Sequence, residues 1–554
     1  MLEIILPNGQ TRQVEEGSTL LPLAEELALN YNSPLVEGVV NGRAIDLQRP
    51  LQESGPIDFI EVNTEEGMRV YIRTLIFMLE VAAKKVHPGA QLEVTNTLGS
   101  ALHVIDNSPV PIKENELAEI EAEMKAMVAA KEPIILKNMP KEEALAKYAG
   151  SCSDDTLALL EEIPAGTMMS LYFLRNQLGY YFGHLCPDAG YVPYFELLPY
   201  EDGLIINYPD TGKWDLLPPF DDRCKLQSAY KELEQWAAKI GCNTIGRLNK
   251  AIAENRSDKI IQISEAFHER KLIAIADQVM ARGEQMKLIF IAGPSSSGKT
   301  STAQRLSIHL AVHGIETIPV SMDDYYLNRE DSPRKPDGSY DFECLEAIDL
   351  ALFDDQITRL LAGETVELPK YNFKTGLREY NGRRIKMQPN TMLIIEGIHG
   401  LNERLTANLP PESLMKIYVS ALTPMSLDPM NRINTTDVRL MRRMVRDNQF
   451  RSHDALATLE RWESVRYGEE NYIFPFQGSA DVIFNTTLIY ELAALKKYAE
   501  PLLEAVPQSA GHAYITARRL LNLLSYIKPI EEEAIPNSSI MREFIGGSIF
   551  KEAL

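Results

Sequence analysis

Cysteine is scarce and scattered. Five occur in 554 residues (Cys152, Cys186, Cys224, Cys242 and Cys344), with no C-x-x-C pair. This odd, dispersed set argues against a disulfide framework and a tetrahedral zinc cluster, and it fits reduced thiols in a cytoplasmic protein. Long hydrophobic runs are also missing. The most apolar stretches, 288–292 and 392–400, fall far short of the ~20 residues that a membrane span needs. The opening residues MLEIILPNGQ have neither a basic nor an apolar leader region, so no secretory signal is expected. Positive charge is in deficit: 56 Lys and Arg against 78 Asp and Glu give a net charge of −22. That field opposes anionic lipid and phosphate backbones, so neither membrane nor broad nucleic-acid binding is expected. An anionic substrate must then be captured by a local concentration of cations.

What is present is an ordinary globular balance, with 45% hydrophobic and 24% charged residues. The length suggests several domains. Residues 1–63 read as a small β-grasp unit. Leu2 to Leu6 runs into an Asn8-Gly9 turn, Ser18 or Thr19 is placed to cap a helix over Leu20–Leu29, and Asn41-Gly42 repeats the hairpin signal. Residues 64–235 read as α+β, with a helix over Tyr71–Val86. Residues 236–284 read as a helical connector that stops at Arg282-Gly283. From 285 to 504, strand, loop and helix alternate, and the strands are unbroken apolar runs. That pattern predicts a parallel sheet covered by helices on both faces, within a multidomain α/β chain. Residues 505–554 form a helical tail without an interpretable motif, expected to pack on the connector.

The chemistry concentrates in 285–504. A buried-strand run, Leu288 to Ala292, leads into Gly293-Pro294-Ser295-Ser296-Ser297-Gly298-Lys299-Thr300 and then a helix. This is G-x-x-x-x-G-K-[ST] with the required strand before and helix after. The glycines let backbone N–H groups curl inward, and the helix N-terminus adds positive potential. The expected ATP-phosphate cradle comprises Gly293, Ser295, Ser296, Ser297, Gly298, Lys299, Thr300 and Ser301. Lys299 is expected on the β/γ-phosphates and the Thr300 hydroxyl on Mg²⁺.

Two carboxylates stand at strand ends, where ligands meet an α/β sheet. Asp323 follows the Thr317–Ser321 run and is placed to accept a hydroxyl proton, although a solvated turn aspartate fits its position equally. Glu396 ends the Met392–Ile395 run and is placed to hold Mg²⁺, although an ordinary strand-end glutamate has the same pattern. Arg439, Arg442, Arg443 and Arg446 share one helical face, followed by Arg451. Bunched guanidiniums ask for an anion, and a lid over the γ-phosphate is the first reading. A basic surface face and RNA contact are the alternatives.

The order of P-loop, D-x-x-Y, Tyr-x-Phe, strand-E-G-I and R-L-x-R-R-x-x-R-D resembles the uridine kinase and phosphoribulokinase family over about 287–500. The resemblance implies Asp323 as catalytic base, Lys299 as a catalytic cation, and Tyr326 and Tyr371 as acceptor contacts. It also implies Glu396 as the metal-associated acid, Arg443 as an acceptor-facing lid arginine, and Arg446 and Arg451 as phosphate-facing ones. Three positions depart from the family pattern. Glu343 stands where an aspartate holds sugar hydroxyls, and either its longer side chain reaches them or Asp341 substitutes. Gly376 stands where a histidine reads the pyrimidine edge. The lid's R-x-R becomes Arg451-Ser452-His453, which puts His453 at the substrate.

The front of the chain resembles a TGS domain followed by the second editing-type domain of threonyl-tRNA synthetases. The family's metal ligands fall on Arg73, Phe77, Cys186 and Gly190, so a scaffold or specificity module without deacylase activity is implied. The whole resembles a long bacterial form of such kinases. It implies transfer of a phosphoryl group from ATP, with Mg²⁺, to a nucleoside 5′-hydroxyl, uridine or cytidine first. A kinase for another small hydroxyl metabolite and a nucleotide-switched RNA- or ribosome-binding protein are the two alternatives. Self-association is left open.

Overall fold

The computed structural model of the protein describes residues 1–148, 150, 152–335 and 338–550. At the N-terminus, β1 (Leu2–Ile5), β2 (Thr11–Val14), β3 (Leu35–Val40), β4 (Arg43–Ile45) and β5 (Gly55–Glu61) form one sheet in the order β2-β1-β5-β3-β4. The pair β1 and β5 is parallel and the other pairs are antiparallel. Asn41 and Gly42 both take positive φ, +49° and +74°, as a tight two-residue hairpin turn requires. Helix α1 (Leu21–Leu27) differs from expectation at its start. It follows Leu20 with no side-chain cap from Ser18 or Thr19, and Pro22 in its first turn presets the backbone.

The next module is organised around α2 (Glu65–Val86), capped by the Thr64 hydroxyl, which accepts from the Gly67 N–H at 3.1 Å. Tyr71, Phe77 and Met78 on α2 are fully buried. Strands β6 (Leu92–Leu98) and β7 (Ala101–Asp106) precede α3 (Glu114–Ala130), β8 (Ile134–Pro140), β9 (Met168–Leu174), β10 (Gln177–Gly179), β11 (Glu196–Tyr200) and β12 (Gly203–Asn207). They make two antiparallel sheets, β11-β12-β7-β6 and β10-β9-β8.

The C-terminal half is built on five parallel strands. These are β13 (Leu288–Ala292), β14 (Glu316–Ser321), β15 (Thr391–Glu396), β16 (Leu414–Ser420) and β17 (Val482–Asn485), in the order β14-β15-β13-β16-β17. Alternate residues feed two cores, as expected for strands covered on both faces. Leu288 and Phe290 pack with Phe353 and Ile357 on one side. Ile289 and Ile291 pack on the other with Leu306 and Leu310 of α5 (Lys299–Val312) and with Leu272 and Ile275 of α4 (Ser257–Ala281). Helix α4, placed by the sequence in a connector, thus contributes to the sheet's own core.

Three further helices matter for the site: α6 (Thr435–Arg451), α7 (Ala455–Tyr472) and α8 (His512–Ser525). The tail reaches further than expected. Its Ser539 hydroxyl donates to Glu265 of α4, and it continues onto the glycine-rich loop, where a Cβ added at Gly298 would lie 2.4 Å from Ile540 Cδ1. Among the described residues no helix is long and apolar enough to cross a membrane.

Candidate active site

Register fixes the site. Ser321, Glu396 and Ile291 are level across β14, β15 and β13. The loop after β13, the turn after β14 and the end of β15 therefore open on one edge. Gly293 must be glycine, since a Cβ would stand 1.9 Å from the Val419 carbonyl oxygen. Gly298 takes φ +84° to hand the loop into α5, and Ser296 takes φ +58°. The hydroxyls of Ser296 and Ser297 are buried without a hydrogen-bond partner. Orphaned donors inside a backbone cradle fit a bound phosphate.

A cavity of about 490 Å³ lies over this loop. Lys299, Thr300, Asp323 and Glu396 line it, with Arg443, Arg446 and Arg451 facing them. Lys299 Nζ donates to the Gly293 and Pro294 carbonyls at 2.9 and 3.2 Å, which holds the ammonium inside the loop. Burial lowers its pKa, while Glu396 and Asp323 oppose that shift. Burial raises the Asp323 carboxyl, with Lys299 pulling the other way. Burial also pushes Glu396 up to about 7, although Lys299 nearby and the Thr300 hydroxyl, donating at 3.0 Å, favour its charge. Thr300 and Glu396 thus form a hydroxyl–carboxylate pair suited to a hard divalent cation.

The arginine row divides. Arg443 Nη1 donates to the Ser295 hydroxyl at 2.6 Å. Asp447 gathers Arg443, Arg446 and Arg451 at 3.3, 2.9 and 3.4 Å and so sets them side by side. Arg439 and Arg442 do not join them, contrary to the expectation of one anion-facing row. They are 1% and 0% exposed and bind the Glu469 and Glu491 carboxylates. Burying a guanidinium demands a paired charge, and these two find one inside the protein. They also fasten α6 to the loop: Arg439 donates to the Ser295 carbonyl, and Glu469 accepts the Ser295 N–H at 3.0 Å.

Tyr326 and Tyr371 line the cavity wall, with ring centroids 5.6 Å apart, and Glu343 lines it as well, its pKa raised by burial and by Asp323. Asp341 and His453 do not line the cavity. Asp341 accepts from the Tyr472 hydroxyl at 2.7 Å, and the His453 N–H donates to the Asp447 carbonyl at 3.2 Å, so both serve the scaffold around the site. Ser301 lies behind the loop, donating to Glu543 at 2.6 Å.

Three charged lining residues were missed from sequence. Glu469 is one acid among several on α7, and no pattern marks it. Glu543 lies 242 positions from Ser301, so only the folded tail brings it in. Arg329 lies three residues past Tyr326, but nothing in that spacing points to Gly376. Its side chain lies against Gly376, where a Cβ would come within 2.8 Å of Arg329 Nε, and its Nη2 donates to the Phe373 carbonyl at 2.9 Å. A guanidinium therefore occupies the space that a side chain at 376 would need.

Residues 288–491 match the model of the phosphoribulokinase / uridine kinase family. The C-terminal part of the chain is a P-loop domain of that family. The chain is 29% identical over 198 residues to threonine–tRNA ligase 1 of Bacillus subtilis, and 27% identical over 198 residues to the threonine–tRNA ligase of Symbiobacterium thermophilum. These matches take in 36% of this chain and 31% and 30% of those proteins, so the chain spans under a third of the length of these relatives. The N-terminal region is related to threonyl-tRNA synthetase domains. Among solved structures, a possible uridine kinase from Bacillus stearothermophilus aligns at 20% identity and a TM-score of 0.27, over 39% of this chain and 98% of that one.

Proposed function

We propose that residues 285–504 catalyse in-line transfer of the ATP γ-phosphoryl group to a hydroxyl of a small acceptor, the 5′-hydroxyl of uridine or cytidine being the first candidate. One observation carries the reading: Asp323, Lys299, the Thr300–Glu396 pair and three arginines line a single cavity over the glycine-bearing loop. The loop's inward N–H groups and Lys299 hold the triphosphate against the sheet edge. Asp323 takes the acceptor proton as the acceptor oxygen bonds to phosphorus and the bond to the ADP oxygen breaks. Its raised pKa makes it a stronger base than a surface aspartate. Arg443, Arg446 and Arg451 stabilise the charge that spreads over the transferring group. Thr300 and Glu396 would hold Mg²⁺, which when bound neutralises phosphate charge. Tyr326, Tyr371 and Glu343 are placed to contact the acceptor, while the TGS-like module (1–63) and the synthetase-like module (64–235) brace the catalytic unit.

A second acceptor class is favoured by Arg329. A guanidinium beside Gly376 suits an acceptor that carries an anionic group, such as a sugar phosphate. Acceptor-dependent ADP release, measured across a panel of nucleosides and sugar phosphates, tests both. Turnover with a nucleoside is expected. Salt-sensitive tRNA binding with no acceptor-dependent ADP release would overturn the kinase reading.

A further inference from the structure

A second cavity, of about 140 Å³, lies where α2, α8 and the segment leading into α6 meet. Four arginines line it: Arg69 and Arg73 from α2, Arg432 before α6, and Arg519 from α8. Two of them are answered by carboxylates. Asp437 accepts from Arg69 at 3.1 Å and from Arg519 at 2.7 Å, Glu66 accepts from Arg519 at 3.0 Å, and Glu65 takes Arg69 at 3.1 Å.

Arg73 and Arg432 are not answered. Among the described residues no carboxylate lies within ion-pairing distance of either. Arg73 Nε donates only to the His184 carbonyl at 3.0 Å, and Glu37, whose charge it feels, is engaged by the His184 ring. Arg432 reaches the Thr97 hydroxyl and the Asn434 side-chain oxygen, both neutral. The buried Nε atoms of Arg69 and Arg432 have no hydrogen-bond partner at all.

This is costly architecture in a chain whose net charge is −22. Both side chains are half-buried, and drawing a guanidinium from water without a counter-charge is unfavourable, while carboxylates are plentiful enough that each could have been given one. Burial lowers the pKa of both Arg73 and Arg432, the physical sign of a cation short of counter-charge. The fork of an arginine matches the oxygens of a phosphate or a carboxylate, and a tetrahedral oxyanion offers oxygens to two forks at once. The volume of about 140 Å³ admits a phosphate-sized group.

We propose that this interdomain cavity is a binding site for a phosphate-class oxyanion, free or as the phosphoryl group of a small metabolite, held by Arg73 and Arg432 with Arg69 and Arg519 behind them. The site is separate from the catalytic cleft and does not depend on the kinase reading. The helix it abuts is the one whose far half carries Arg443, Arg446 and Arg451, since Asp437 lies in the first turn of α6.

The test follows thermal unfolding of the full chain in a Lys299→Ala background, which disables the phosphate loop, with orthophosphate titrated at constant ionic strength. A saturable rise in Tm is expected, because a ligand that binds only the folded state stabilises it in proportion to the logarithm of its concentration. The rise should vanish when Arg73→Gln and Arg432→Gln are added. No saturable rise in the Lys299→Ala protein would overturn the site, as would a rise that survives both arginine changes. An equal rise with acetate would overturn the phosphate class. Should the combined variant fail to fold, tungstate soaked into crystals of the Lys299→Ala protein decides. Anomalous density within hydrogen-bonding reach of Arg73 and Arg432 supports the site, and its absence there contradicts it. Titration with a small sugar phosphate distinguishes free phosphate from a phosphorylated metabolite: tighter saturation assigns the latter, and weaker saturation the former.

Discussion

Helix α6 carries one arginine-lined hollow toward each end, and the two are built differently. In the catalytic cleft the cations share space with Asp323, Glu343 and Glu396, carboxylates whose pKa values burial has raised. Of the three, Glu396 is pushed to about 7 and so exchanges a proton near neutrality. In the interdomain cavity the lining carboxylate, Asp437, is buried too, but Arg519 and Arg69 outweigh that burial and hold its pKa below the usual carboxylate range. It stays ionised and moves no proton. Between the hollows, Arg439 and Arg442 are consumed by Glu469 and Glu491. One residue type thus serves three ends along one helix, and the neighbouring acid decides which.

The comparison breaks most visibly at its middle. Glu469→Gln leaves Arg439 buried with no full counter-charge, so a loss of about 3–5 kcal/mol in unfolding free energy is expected, read from urea denaturation. Arg446→Ala should do the opposite. It removes a cleft-lining cation whose partner Asp447 keeps Arg443 and Arg451, so kcat should fall on the order of 10²–10³-fold with a nearly unchanged urea midpoint. Steady-state rates and denaturation on the same preparation separate the two classes.

The third test is pH. Glu396 sits at about 7 in the folded chain, so it is protonated below that value and ionised above it. The rate at fixed low Mg²⁺ should therefore rise as pH climbs through about 7, and Glu396→Gln should remove that inflection from the profile. Stability runs the other way for this group. Its folded pKa is raised, so its contribution is present below the unfolded value and is lost as pH rises through the folded one. The smallest effect is expected at Glu543, whose carboxylate stands on Ser301 beside the phosphate loop. Glu543→Ala removes negative charge next to that site and should tighten ATP binding by roughly 1 kcal/mol, about fivefold, as measured by calorimetry.

Much of this was legible in the sequence, for identifiable reasons. Contiguous signals read well: the glycine-bearing loop, the apolar strand runs and the Asn-Gly turns each act over a few residues, where local sterics rule. Helix α4 was less legible because an amphipathic helix shows that it has an apolar face but not what covers it. The division of the arginine row was not legible at all. Helical spacing puts Arg439, Arg442, Arg443 and Arg446 on one side of α6, yet their fates turn on Glu469, Glu491 and Asp447, of which only Asp447 is near in sequence. The same holds for Arg329 at Gly376 and for Glu543 in the tail, since contacts made across the fold leave no period in the chain. His453 was misplaced because motif spacing ignored the helix end: Ser452 adopts a left-handed conformation there, φ +55°, and closes α6 before His453.

The most direct test compares ATP binding and phosphoryl transfer in Asp323→Asn. The substitution keeps the shape of the cleft and removes only the proton acceptor. The account predicts an ATP affinity close to that of the unaltered protein and a transfer rate at least ~10²-fold lower. Full transfer activity in Asp323→Asn would contradict it.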